Sequence, residues 1–579
     1  MSEEQRRRYW KSLEELEQSP AFLELLHREF PSQASEFGDA AGRREFMRVM
    51  GASLALAGLT GCTRQPEEKI VPYVRQPEDM VPGRPQYFAT AVLDAGYAKG
   101  VLVESHAGRP TKIEGNPEHP ASLGGTDVPT QAEILNLYDP DRSQVLKYLG
   151  EVRSWDAFLS AMRASMDAQR GQGGAGLRIL TETVTSPSLH AQIDALLREL
   201  PRARWHQWDA AGRHSMRAGL LSVLGRAVDP VHHLDRAKVI LSLDADFVTE
   251  GPGNLRYIRE FARGRKLDGG KRDMSRLYAV ESTPNLAGSL SDHHLRVKAS
   301  EVEPFARALL AALGASGPAA AGAAPAAWSA WIAPLAKDLL AHPGATLVLA
   351  GEQQSPGLHA VVHAINERLG NVGTTVEYRP AAEPRPVDQL ESLRELMKDI
   401  DAGTVSLLVI VGGNPVYTAP SDFDFAGRMD KVALRVHLGL YDDETAERCH
   451  WHVPQTHSLE TWGDARAFDG TLTVLQPLIA PLYPSCRSVY EFLGALGTRP
   501  PASAHDTVRE FWRGAGTLGG EFDRAWRRAL HDGLMAVATA PVPVAGPATT
   551  SPVPAAPAAP VAAPRPAPPA SGGMEIIFR

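Results

Sequence analysis

Four apolar runs in the middle of the chain constrain its fold more than any other feature. They begin AKVILSL, SRLYAV, ATLVLAG and VSLLVIVGG, and each ends in a turn that contains Gly, Asn or Pro and precedes a helical pattern. Strands that are apolar at consecutive positions belong in parallel sheets that helices cover on both faces. The sequence therefore predicts an α/β fold with doubly wound sheets.

Composition and periodicity divide the chain into predicted segments. The Ala/Gly/Pro-rich stretch from Gly314 to Ala327 interrupts the alternation of strands and helices, and the stretch from Ala538 to Gly573 is too poor in large apolar residues to bury a core. The segments are a leader with an export signal (1–62), a small strand-rich lobe (63–150), a first α/β lobe (151–315), a second α/β lobe (328–500), a helical segment (501–537), a Pro/Ala linker (538–573) and the first strand of a following module (574–579).

The leader carries the pattern of a bacterial export signal. Arg43 and Arg44 stand directly before an apolar run from Val49 to Leu59, as in twin-arginine signals. This run is about half as long as the roughly 20 residues that span a bilayer, so it is a poor membrane anchor. LTGC resembles a lipobox, at which a lipoprotein signal is cut and Cys62 is acylated. We predict a protein on the periplasmic side of the bacterial inner membrane, either lipid-anchored or associated there through a complex. The alternative for the segment itself is an amphipathic helix with a basic start.

Net charge and cysteine count limit the possible partners and redox sites. The formal net charge is −8 with a pI near 6.2, and no basic block suggests a nucleic-acid surface, which argues against DNA or RNA as partner. The three cysteines are Cys62, Cys449 and Cys486. If Cys62 is acylated, the other two form either one disulfide or buried thiols, and we predict buried thiols.

Five segments resemble the molybdopterin oxidoreductases of the dimethyl-sulfoxide-reductase superfamily, in the order found in that family. They are AGRPTKIEGNPEHPASLGGTDVPTQAEILNLYDPDRS (107–143), SLSDHHLRVKASEVEPF (289–305), INERLGNVGTTVEY (365–378), VGGNPVYTAP (411–420) and WHVPQTHSLETWGDARAFDGTLTVLQPLIAP (451–481). The resemblance covers roughly residues 85–495. It implies the fold of that superfamily, with two α/β lobes and a small strand-rich lobe.

The leader adds a more specific resemblance. YWKSLEELEQSPAFLELLHREFP, the twin arginines and CTRQPEEKIVPYVRQPEDMVPG together resemble the molybdopterin-oxidoreductase-like subunits of alternative complex III, a quinol-oxidising respiratory assembly. This resemblance implies that the chain supports electron transfer from menaquinol or another quinol to a periplasmic carrier or terminal oxidase. It implies as partners a ferredoxin-like iron–sulfur module, multihaem cytochrome c subunits and quinol-binding integral membrane subunits. The iron–sulfur clusters and haem c then belong to these partners.

The residues that a catalytic relative would use are missing from the sequence. YFATAVLDAGYAKGVLVESHAGRP (87–110) has no cysteine where such a relative has an iron–sulfur motif, and Gly124, Gly125 and Thr126 stand where it would place a further Cys. An iron–sulfur cluster typically needs about four thiolates, and no Ser or Cys stands in a convincing molybdenum-ligating context. We predict a non-catalytic, cofactor-free scaffold without a metal site. The alternative is an exported molybdopterin-dependent reductase with an unrecognised metal centre.

Two histidine groups are the remaining candidates for metal or proton chemistry. They are Cys449, His450, His452 and His457 in CHWHVPQTH, and His293 and His294 beside Asp292. Both groups lie in predicted strands, whose period of two places His450 and His452 on one face and Cys449 on the other, and makes adjacent histidines diverge. We therefore predict structural roles for both groups, with a zinc site at the first and ligation or proton transfer at the second as alternatives.

Two Gly-Asn turns follow predicted parallel strands, at the positions where doubly wound sheets bind ligands. Their residues are Gly251, Gly253 and Asn254 after VILSLDADFV, and Gly412, Gly413 and Asn414 after VSLLVIV. In a catalytic relative these turns would lie near the nucleotide tails of the pterin. A tight turn that needs positive φ explains the same residues without any ligand. We predict a vestigial, emptied pocket; the alternative is that it still holds a guanine nucleotide fragment.

Overall fold

A computed structural model describes residues 81, 83–269, 273–314, 326–498, 501–519, 521–536 and 575 of the chain. All of these residues belong to one compact unit, Met80–Arg579. The leader with Arg43, Arg44 and Cys62, the linker 538–573 and the predicted strand 574–579 lie outside the described residues, apart from Glu575. The carboxylate of Glu575 accepts hydrogen bonds from the backbone nitrogen of Ser300 at 3.0 Å and from its Oγ at 2.5 Å.

The described residues form eighteen strands. They are β1 (Gln86–Asp94), β2 (Tyr97–His106), β3 (Arg109–Gly115), β4 (Lys147–Tyr148), β5 (Glu151–Val152), β6 (Leu177–Thr181), β7 (Arg204–Gln207), β8 (Val228–His232), β9 (Val239–Leu243), β10 (Arg276–Glu281), β11 (His293–Arg296), β12 (Thr346–Ala350), β13 (Val376–Pro380), β14 (Leu407–Val411), β15 (Leu434–Gly439), β16 (Trp451–Pro454), β17 (Gly463–Arg466) and β18 (Leu472–Leu475). Sixteen α-helices and three short 3₁₀ helices connect them.

The helices follow the strands in the alternation that the sequence predicts. They are α1 (Val128–Tyr138), α2 (Trp155–Arg170), α3 (Pro187–Glu199), α4 (His214–Leu224), α5 (Asn254–Arg265), α6 (Leu286–Ser289), α7 (Ala299–Ala312), α8 (Ala326–Leu340), α9 (Pro356–Arg368), α10 (Gln389–Asp401), α11 (Pro415–Thr418), α12 (Phe425–Met429), α13 (Glu444–Glu447), α14 (Val489–Gly494), α15 (Ala504–Ala515) and α16 (Phe522–Asp532). The 3₁₀ helices are Leu234–Arg236, Ser421–Phe423 and Ser458–Glu460. Among the described residues, none of these helices is long and apolar enough to cross a membrane.

The first three strands form an antiparallel meander in the order β1-β2-β3. A two-residue turn, Ala95–Gly96, joins β1 to β2, with φ angles of 45° and 81° that match a type I′ hairpin. A Cβ on Gly96 would lie 2.3 Å from the carbonyl oxygen of Thr183, so only glycine fits where the hairpin approaches that loop. The turn therefore fixes the meander against the segment that follows β6.

A parallel four-stranded sheet has the order β11-β10-β9-β12. Alternate residues of β9 point to opposite faces: Val239 and Leu241 belong to the core with α7, α8 and α9, while Ile240 belongs to the core with α4 and α5. Helices thus cover both faces. This explains why the strand is apolar at nearly every position.

A seven-stranded sheet has the order β5-β4-β16-β15-β14-β6-β7. Its five strands from β16 to β7 are parallel, and the β4–β5 hairpin adds an antiparallel edge next to β16. Leu407 and Val409 face α2 and α3, whereas Leu408 and Ile410 face α10 and α12. This sheet is also doubly wound, as the apolar runs predict.

The two sheets do not follow the predicted boundary at 314–327. Strand β12, which lies in the predicted second lobe, joins the four-stranded sheet, while β6 and β7 from the predicted first lobe join the seven-stranded sheet. The four-stranded sheet is therefore an insertion between β7 and β14. A composition break shows where the alternation of strands and helices is interrupted, but strand pairing depends on contacts distant in the chain, so the break does not indicate which sheet the next strand joins.

The region 501–537 contains two amphipathic helices, α15 and α16. They pack on the β17–β18 hairpin through Trp512 and Trp526, which are buried with Leu472 and Val474. Trp512 Nε1 donates a hydrogen bond at 2.6 Å to Asp464, a buried residue of β17. A buried indole N–H needs such an acceptor, so this bond fixes α15 on the hairpin.

Candidate functional site

Each of the two parallel sheets has a crevice at the carboxyl ends of its strands. In the four-stranded sheet the chain continues from β9 to β10 on one side, and β12 lies on the other side. In the seven-stranded sheet, β7 and β14 flank β6 in the same way. Such topological switch points are the usual ligand sites of doubly wound sheets. The first crevice, at β9 and β12, has a volume of about 620 Å³. The second crevice, at β6 and β14, has a volume of about 400 Å³.

The structure brings five of the six predicted Gly-Asn residues to these crevices. Gly251 and Gly253 line the first crevice, and Gly412, Gly413 and Asn414 line the second. The sixth, Asn254, begins α5, and its side-chain nitrogen lies 3.3 Å from Oδ2 of Asp127 and 3.4 Å from the carbonyl oxygen of Thr249. The side chain of Asn414 bonds to Glu444 and Thr445, so its amide is already engaged. The turns are in ligand-binding positions, whereas their asparagines serve the local structure.

Arg213 is the main cation of the first crevice. Its side chain is only 7% exposed, and its Nε donates a hydrogen bond to Oε1 of Glu352 at 2.6 Å. The guanidinium also lies over the ring of Tyr97, 5.7 Å from the ring centroid. Nη1 has no hydrogen-bond partner among the described residues. The crevice therefore holds a buried positive charge that two carboxylates partly neutralise: Glu352, and Asp229 at 4.0 Å from Nη1.

A second buried arginine connects this crevice to the segment after β13. Arg217 bonds to Asp229 at 2.9 and 3.2 Å and to Glu383 at 2.5 Å, and it donates to the hydroxyl of Tyr97 at 2.7 Å. Burial is the largest influence on the carboxyl group of Asp229 and would raise its pKa, but Arg217 and Arg213 lower it overall. The cluster holds α4, β8 and the hairpin tip of the meander together.

A small cavity of about 60 Å³ shares Arg213, His232 and Glu352 with the first crevice. Nδ1 of His232 and Nε2 of His359 line it without a hydrogen-bond partner among the described residues. Burial, followed by the charge of Arg213, lowers the pKa of His232 to about 3 and that of His359 to about 4. Both imidazoles are therefore neutral. A cavity of this size has room for a few water molecules, which are the simplest partners for these atoms.

The second crevice is lined by carboxylates. Glu133, Glu182 and Asp443 line it, and the residues that the structure describes there include no Lys or Arg. His457, the single histidine in the lining, bonds through Nε2 to Glu133 at 3.1 Å. The protein atoms that surround Glu182 in the crevice, followed by repulsion from Asp209 and Asp443, raise the pKa of Glu182 to about 7, although its side chain keeps access to water. The first crevice is also lined by carboxylates, from Asp94, Asp246, Glu250 and Glu352, but it has Arg213 among them, whereas the described lining of the second crevice has no such cation.

The Glu182 side chain lies against the turn between β14 and α11. Gly412 and Gly413 have consecutive positive φ angles of 70° and 64°. A Cβ on Gly413 would lie 2.9 Å from Cγ of Glu182, and one on Gly412 would lie 2.8 Å from its Oε2. Hydrogen bonding from the backbone of Gly413 acts to lower the pKa of Glu182, against the larger effect of burial. The carboxylate therefore occupies the space directly beside the glycine turn.

The CHWHVPQTH segment places its residues differently from the prediction in one respect. Strand β16 begins at Trp451, so the alternation of faces does not extend back to Cys449, and Cys449 lines the same cavity as His450 and His452. His452 bonds to His437 through their Nδ1 atoms at 3.2 Å and to Ser143 Oγ at 2.7 Å. His437 in turn bonds to the carbonyl oxygen of Gly413 at 3.2 Å. This buried series of hydrogen bonds ends at the carbonyl oxygen of Gly413 and so supports the glycine turn.

The structure separates His293 from His294, as strand geometry predicts. His293 stacks on Tyr278 with ring centroids 4.4 Å apart, while Nε2 of His294 lies 2.8 Å from Oε1 of Glu281. Asp292 bonds to Arg265 at 2.6 and 2.9 Å and accepts from the backbone nitrogen of Leu277. These partners give each residue a structural role.

One group among the described residues brings three ligand-type side chains together: His233, Asp235 and Glu260. Their ligand atoms lie within 4.8 Å of one another. Glu260 accepts from Arg256 Nε at 2.7 Å and from the backbone nitrogen of Leu234 at 3.0 Å, and Nη2 of Arg256 lies 3.0 Å from Nδ1 of His233. Arg256 thus already engages Glu260 and His233, two of the three residues, so these two belong to a hydrogen-bonded network with a guanidinium.

The two remaining cysteines are free and buried. Burial raises the pKa of Cys449 to about 12 and that of Cys486 to about 11. Thiols with such pKa values are protonated at neutral pH, and it is the thiolate that ligates metals. The prediction of buried thiols is confirmed.

This chain is similar to proteins of known sequence and of known structure, while no protein-family model matches it. The chain is 24% identical over 429 residues to the menaquinone reductase molybdopterin-binding-like subunit of Nitratidesulfovibrio vulgaris. The match covers 66% of the chain and 61% of that protein, so the chain spans less than two thirds of the relative's length. Acetylene hydratase from Pelobacter acetylenicus superposes with a TM-score of 0.53 and 11% sequence identity, over 70% of this chain and 68% of the hydratase.

The chain is a molybdopterin-oxidoreductase-like protein. Its fold is that of the dimethyl-sulfoxide-reductase family, to which acetylene hydratase belongs. The predicted α/β fold class and the resemblance to this superfamily are confirmed. The two crevices of this molybdopterin-oxidoreductase-like fold are therefore the places to test for the cofactor that the family name implies.

The second crevice of this molybdopterin-oxidoreductase-like protein does not fit a pterin dinucleotide. The pyrophosphate of such a group carries negative charge, and it would meet Glu133, Glu182 and Asp443 without a Lys or Arg among the described lining residues. The first crevice offers Arg213, but Glu352 already pairs with one edge of its guanidinium. The residues that line the second crevice therefore do not fit the phosphate-bearing group that the family name implies.

Sequence reasoning missed the charged residues that distinguish the two crevices. Glu182 follows the last residue of β6, and Glu352 lies two residues beyond β12, so both stand where parallel strands deliver side chains to a crevice. That position is a signal that could have indicated them. Arg213 precedes α4 without a capping side chain, and nothing in its local sequence indicates its burial.

Proposed function

We propose that the chain is a non-catalytic, molybdopterin-oxidoreductase-like subunit of a quinone-linked oxidoreductase complex. The curated relative is named as a menaquinone reductase subunit, and its name describes it as molybdopterin-binding-like. The acidic second crevice is the observation on which the non-catalytic role rests, because a phosphate-bearing cofactor would there meet three carboxylates. In this proposal the fold serves as a scaffold for neighbouring subunits.

The finer proposal is that this complex is alternative complex III. The chain would then support electron transfer from menaquinol or another quinol through iron–sulfur and haem c partners to a periplasmic carrier or a terminal oxidase. The partners would be a ferredoxin-like iron–sulfur module, multihaem cytochrome c subunits and quinol-binding integral membrane subunits. The leader and segment resemblances support this assignment. A reconstituted complex whose quinol oxidation is unaffected by removal of this chain would contradict it.

Cysteine chemistry supports placing the iron–sulfur clusters in partners. The chain has three cysteines, fewer than the roughly four thiolates of a cluster. Two of the three, Cys449 and Cys486, are buried thiols with raised pKa values. We propose that the chain itself carries neither iron–sulfur clusters nor haem.

Elemental analysis of the purified chain tests the non-catalytic role. A protein of residues 63–579 is expressed and purified without chelators, and its molybdenum and iron contents are measured by elemental mass spectrometry. We expect both to be far below one atom per chain and the protein to be colourless. About one molybdenum per chain would contradict the proposal and support the alternative, an exported molybdopterin-dependent reductase with an unrecognised metal centre.

We further propose that Arg43 and Arg44 direct export and that Cys62 carries a lipid anchor on the periplasmic side of the inner membrane. Each methylene of an acyl chain contributes about 0.8 kcal/mol of binding free energy when it is buried in the bilayer, so two or three chains hold a protein stably at a membrane. Mass spectrometry of the mature N-terminus tests the anchor. An unmodified Cys62, or intact residues upstream of it, would remove the lipoprotein assignment.

The proposal for 574–579 is that this segment adds a strand to the sheet of the iron–sulfur partner. Its sequence MEIIF has the β-branched and aromatic residues that strands favour. Within the chain itself, the carboxylate of Glu575 bonds to Ser300 at the start of α7. Hydrogen exchange decides between the two settings: we expect the amides of 575–578 to be protected in the complex and unprotected in the isolated chain.

A further inference from the structure

We propose that Glu182 determines the ligand selectivity of the second crevice by holding a carboxylate where a phosphate group would otherwise approach the Gly412–Gly413 turn. This inference rests on the proposed non-catalytic function, since a bound pterin dinucleotide would need the same space. It assigns the exclusion of phosphate-bearing ligands to one side chain rather than to the shape of the whole crevice.

The position of Glu182 in the fold is the first argument. Strands β6 and β14 are neighbours at the switch point of the seven-stranded sheet, and Glu182 is the first residue after β6. Glycine turns at this position allow backbone nitrogens to approach phosphate oxygens. Gly412 and Gly413 have consecutive positive φ angles, and because both are glycines the turn carries no side chains. The structure places a carboxylate of this same chain beside that opening.

The closeness of the contact is the second argument. Oε2 of Glu182 lies 2.8 Å from the point where a Cβ of Gly412 would be, and its Cδ and Oε1 lie 3.1 Å from the corresponding point of Gly413. A carboxylate and a phosphate both present acceptor oxygens to backbone N–H groups. A phosphate could approach this turn only after the Glu182 side chain had moved away. Removal of the side chain should therefore free the site.

The charge around Glu182 is the third argument. Glu133 and Asp443 line the same crevice, and Asp209 also acts on Glu182 electrostatically. The described lining contains no Lys or Arg that would attract a displaced ligand. The first crevice also has carboxylates in its lining, from Asp94, Asp246, Glu250 and Glu352, but Arg213 lies among them. The second crevice therefore differs in having no described Lys or Arg that offsets its carboxylates.

The experiment measures binding of inorganic pyrophosphate to the metal-free chain by isothermal titration calorimetry at about pH 8.5, where Glu182, whose pKa is raised to about 7, is ionised. The variants are Glu182→Gln, which removes charge and keeps shape, and Glu182→Ala, which removes both. Glu444→Gln is the matched control, because Glu444 is an exposed carboxylate that bonds to Asn414 on the rim of the same turn. Thermal unfolding of each variant confirms that it is folded.

We expect the wild-type chain and the Glu444→Gln variant to bind pyrophosphate equally, with any site belonging to the first crevice. The Glu182→Ala and Glu182→Gln variants should each show one additional site, at which they bind pyrophosphate at least about tenfold more tightly than the second crevice of the wild-type chain does. Absence of an additional site in both Glu182 variants overturns the inference, as does a wild-type chain that already binds two equivalents. A failure of this inference is distinguishable from a failure of the proposed function, because the molybdenum content of the chain tests the proposed function separately.

Discussion

The guanidinium of Arg142 and the carboxylate of Glu460 form a paired ion contact in which both side chains are fully shielded from solvent. Nη1 and Nη2 of Arg142 donate to Oε1 and Oε2 of Glu460 at 3.1 and 2.7 Å. Nη1 also donates to the carbonyl oxygen of Leu137, and Glu460 accepts from the backbone nitrogens of His457 and Leu482. The pair thereby connects the end of α1 to the segment after β16.

Replacing one partner of this pair should destabilise the protein strongly. Glu460→Gln leaves the Arg142 charge buried without a counter-ion, and loss of one partner of a buried pair costs about 3–5 kcal/mol of unfolding free energy. Chemical denaturation measures the change. The double variant Arg142→Met, Glu460→Met should lose much less than the sum of the single changes, because it leaves no unpaired charge.

The exposed pair Arg153 and Glu151 provides the control for this comparison. Its side chains are 46% and 70% exposed, and exposed pairs contribute at most about 1 kcal/mol. Arg153→Met should therefore leave the unfolding free energy nearly unchanged. Equal losses from Arg153→Met and Glu460→Gln would show that burial of the Arg142–Glu460 pair has no energetic consequence.

Much of the fold could be predicted from local sequence. The apolar runs at 239–243 and 407–411 became buried central strands, because a strand covered on both faces buries nearly every side chain and so favours apolar residues at most positions. The assignment of β12 to the sheet of β9 could not be predicted in this way. Parallel pairing depends on crossover connections and long-range contacts, and the sequence near 346–350 is equally compatible with either sheet.

Of the candidate site, only the backbone turns could be predicted from the sequence. Gly412 and Gly413 indicate a turn because positive φ is a local requirement that glycine meets. The selectivity of the crevice depends instead on Glu182, Asp443 and Glu133, which come from three distant segments of the chain. Charge at a site arises from such convergence in space, and a single sequence does not show it.

Buried neutral histidines should make the protein sensitive to mild acid. In seven buried histidines the pKa is lowered to about 3 or 4, and burial is the largest cause in each. These histidines are His119, His206, His232, His359, His363, His437 and His452. Between these values and the usual pKa near 6.5, the unfolded chain binds protons that the folded chain does not. The contribution of these histidines to the free energy of unfolding is therefore fully present above about pH 6.5, and it is lost as the pH decreases below that value. Thermal unfolding from pH 8 to pH 5 should show a decreasing midpoint.

The variant His452→Gln tests whether these histidines cause the acid sensitivity. Glutamine can still bond to His437 or Ser143 but does not titrate. The slope of unfolding free energy against pH below pH 6.5 should decrease by about 1.4 kcal/mol per pH unit, the contribution of one proton. A slope identical to wild type would assign the acid sensitivity to other groups.

Cys449 and Cys486 should resist alkylation in the folded protein. Both are buried, and burial raises their pKa values to about 12 and 11. The thiolate fraction at neutral pH is then lower than that of an ordinary thiol by about a hundredfold or more. Peptide mass spectrometry after iodoacetamide treatment should show both unmodified in native buffer and both modified in denaturant. Rapid native labelling of either residue would contradict its buried setting.

The Glu182→Gln variant should be more stable than wild type at alkaline pH and equally stable in acid. Crevice burial, with Asp209 and Asp443, raises the pKa of Glu182 to about 7 from the usual value near 4.5. A carboxyl whose pKa is raised in the folded state favours folding while it is protonated in both states, and this contribution is lost as the pH rises from about 4.5 through 7. Glutamine mimics the protonated form at every pH. The Glu182 side chain is accessible to water within the crevice, which reduces the size of the effect.

The measurement is the difference in thermal midpoint between variant and wild type from pH 4 to pH 9, with Glu444→Gln as the exposed control. The difference should grow with pH for Glu182→Gln and should remain flat for Glu444→Gln. A flat difference for both variants would show that the second crevice does not perturb its carboxylate.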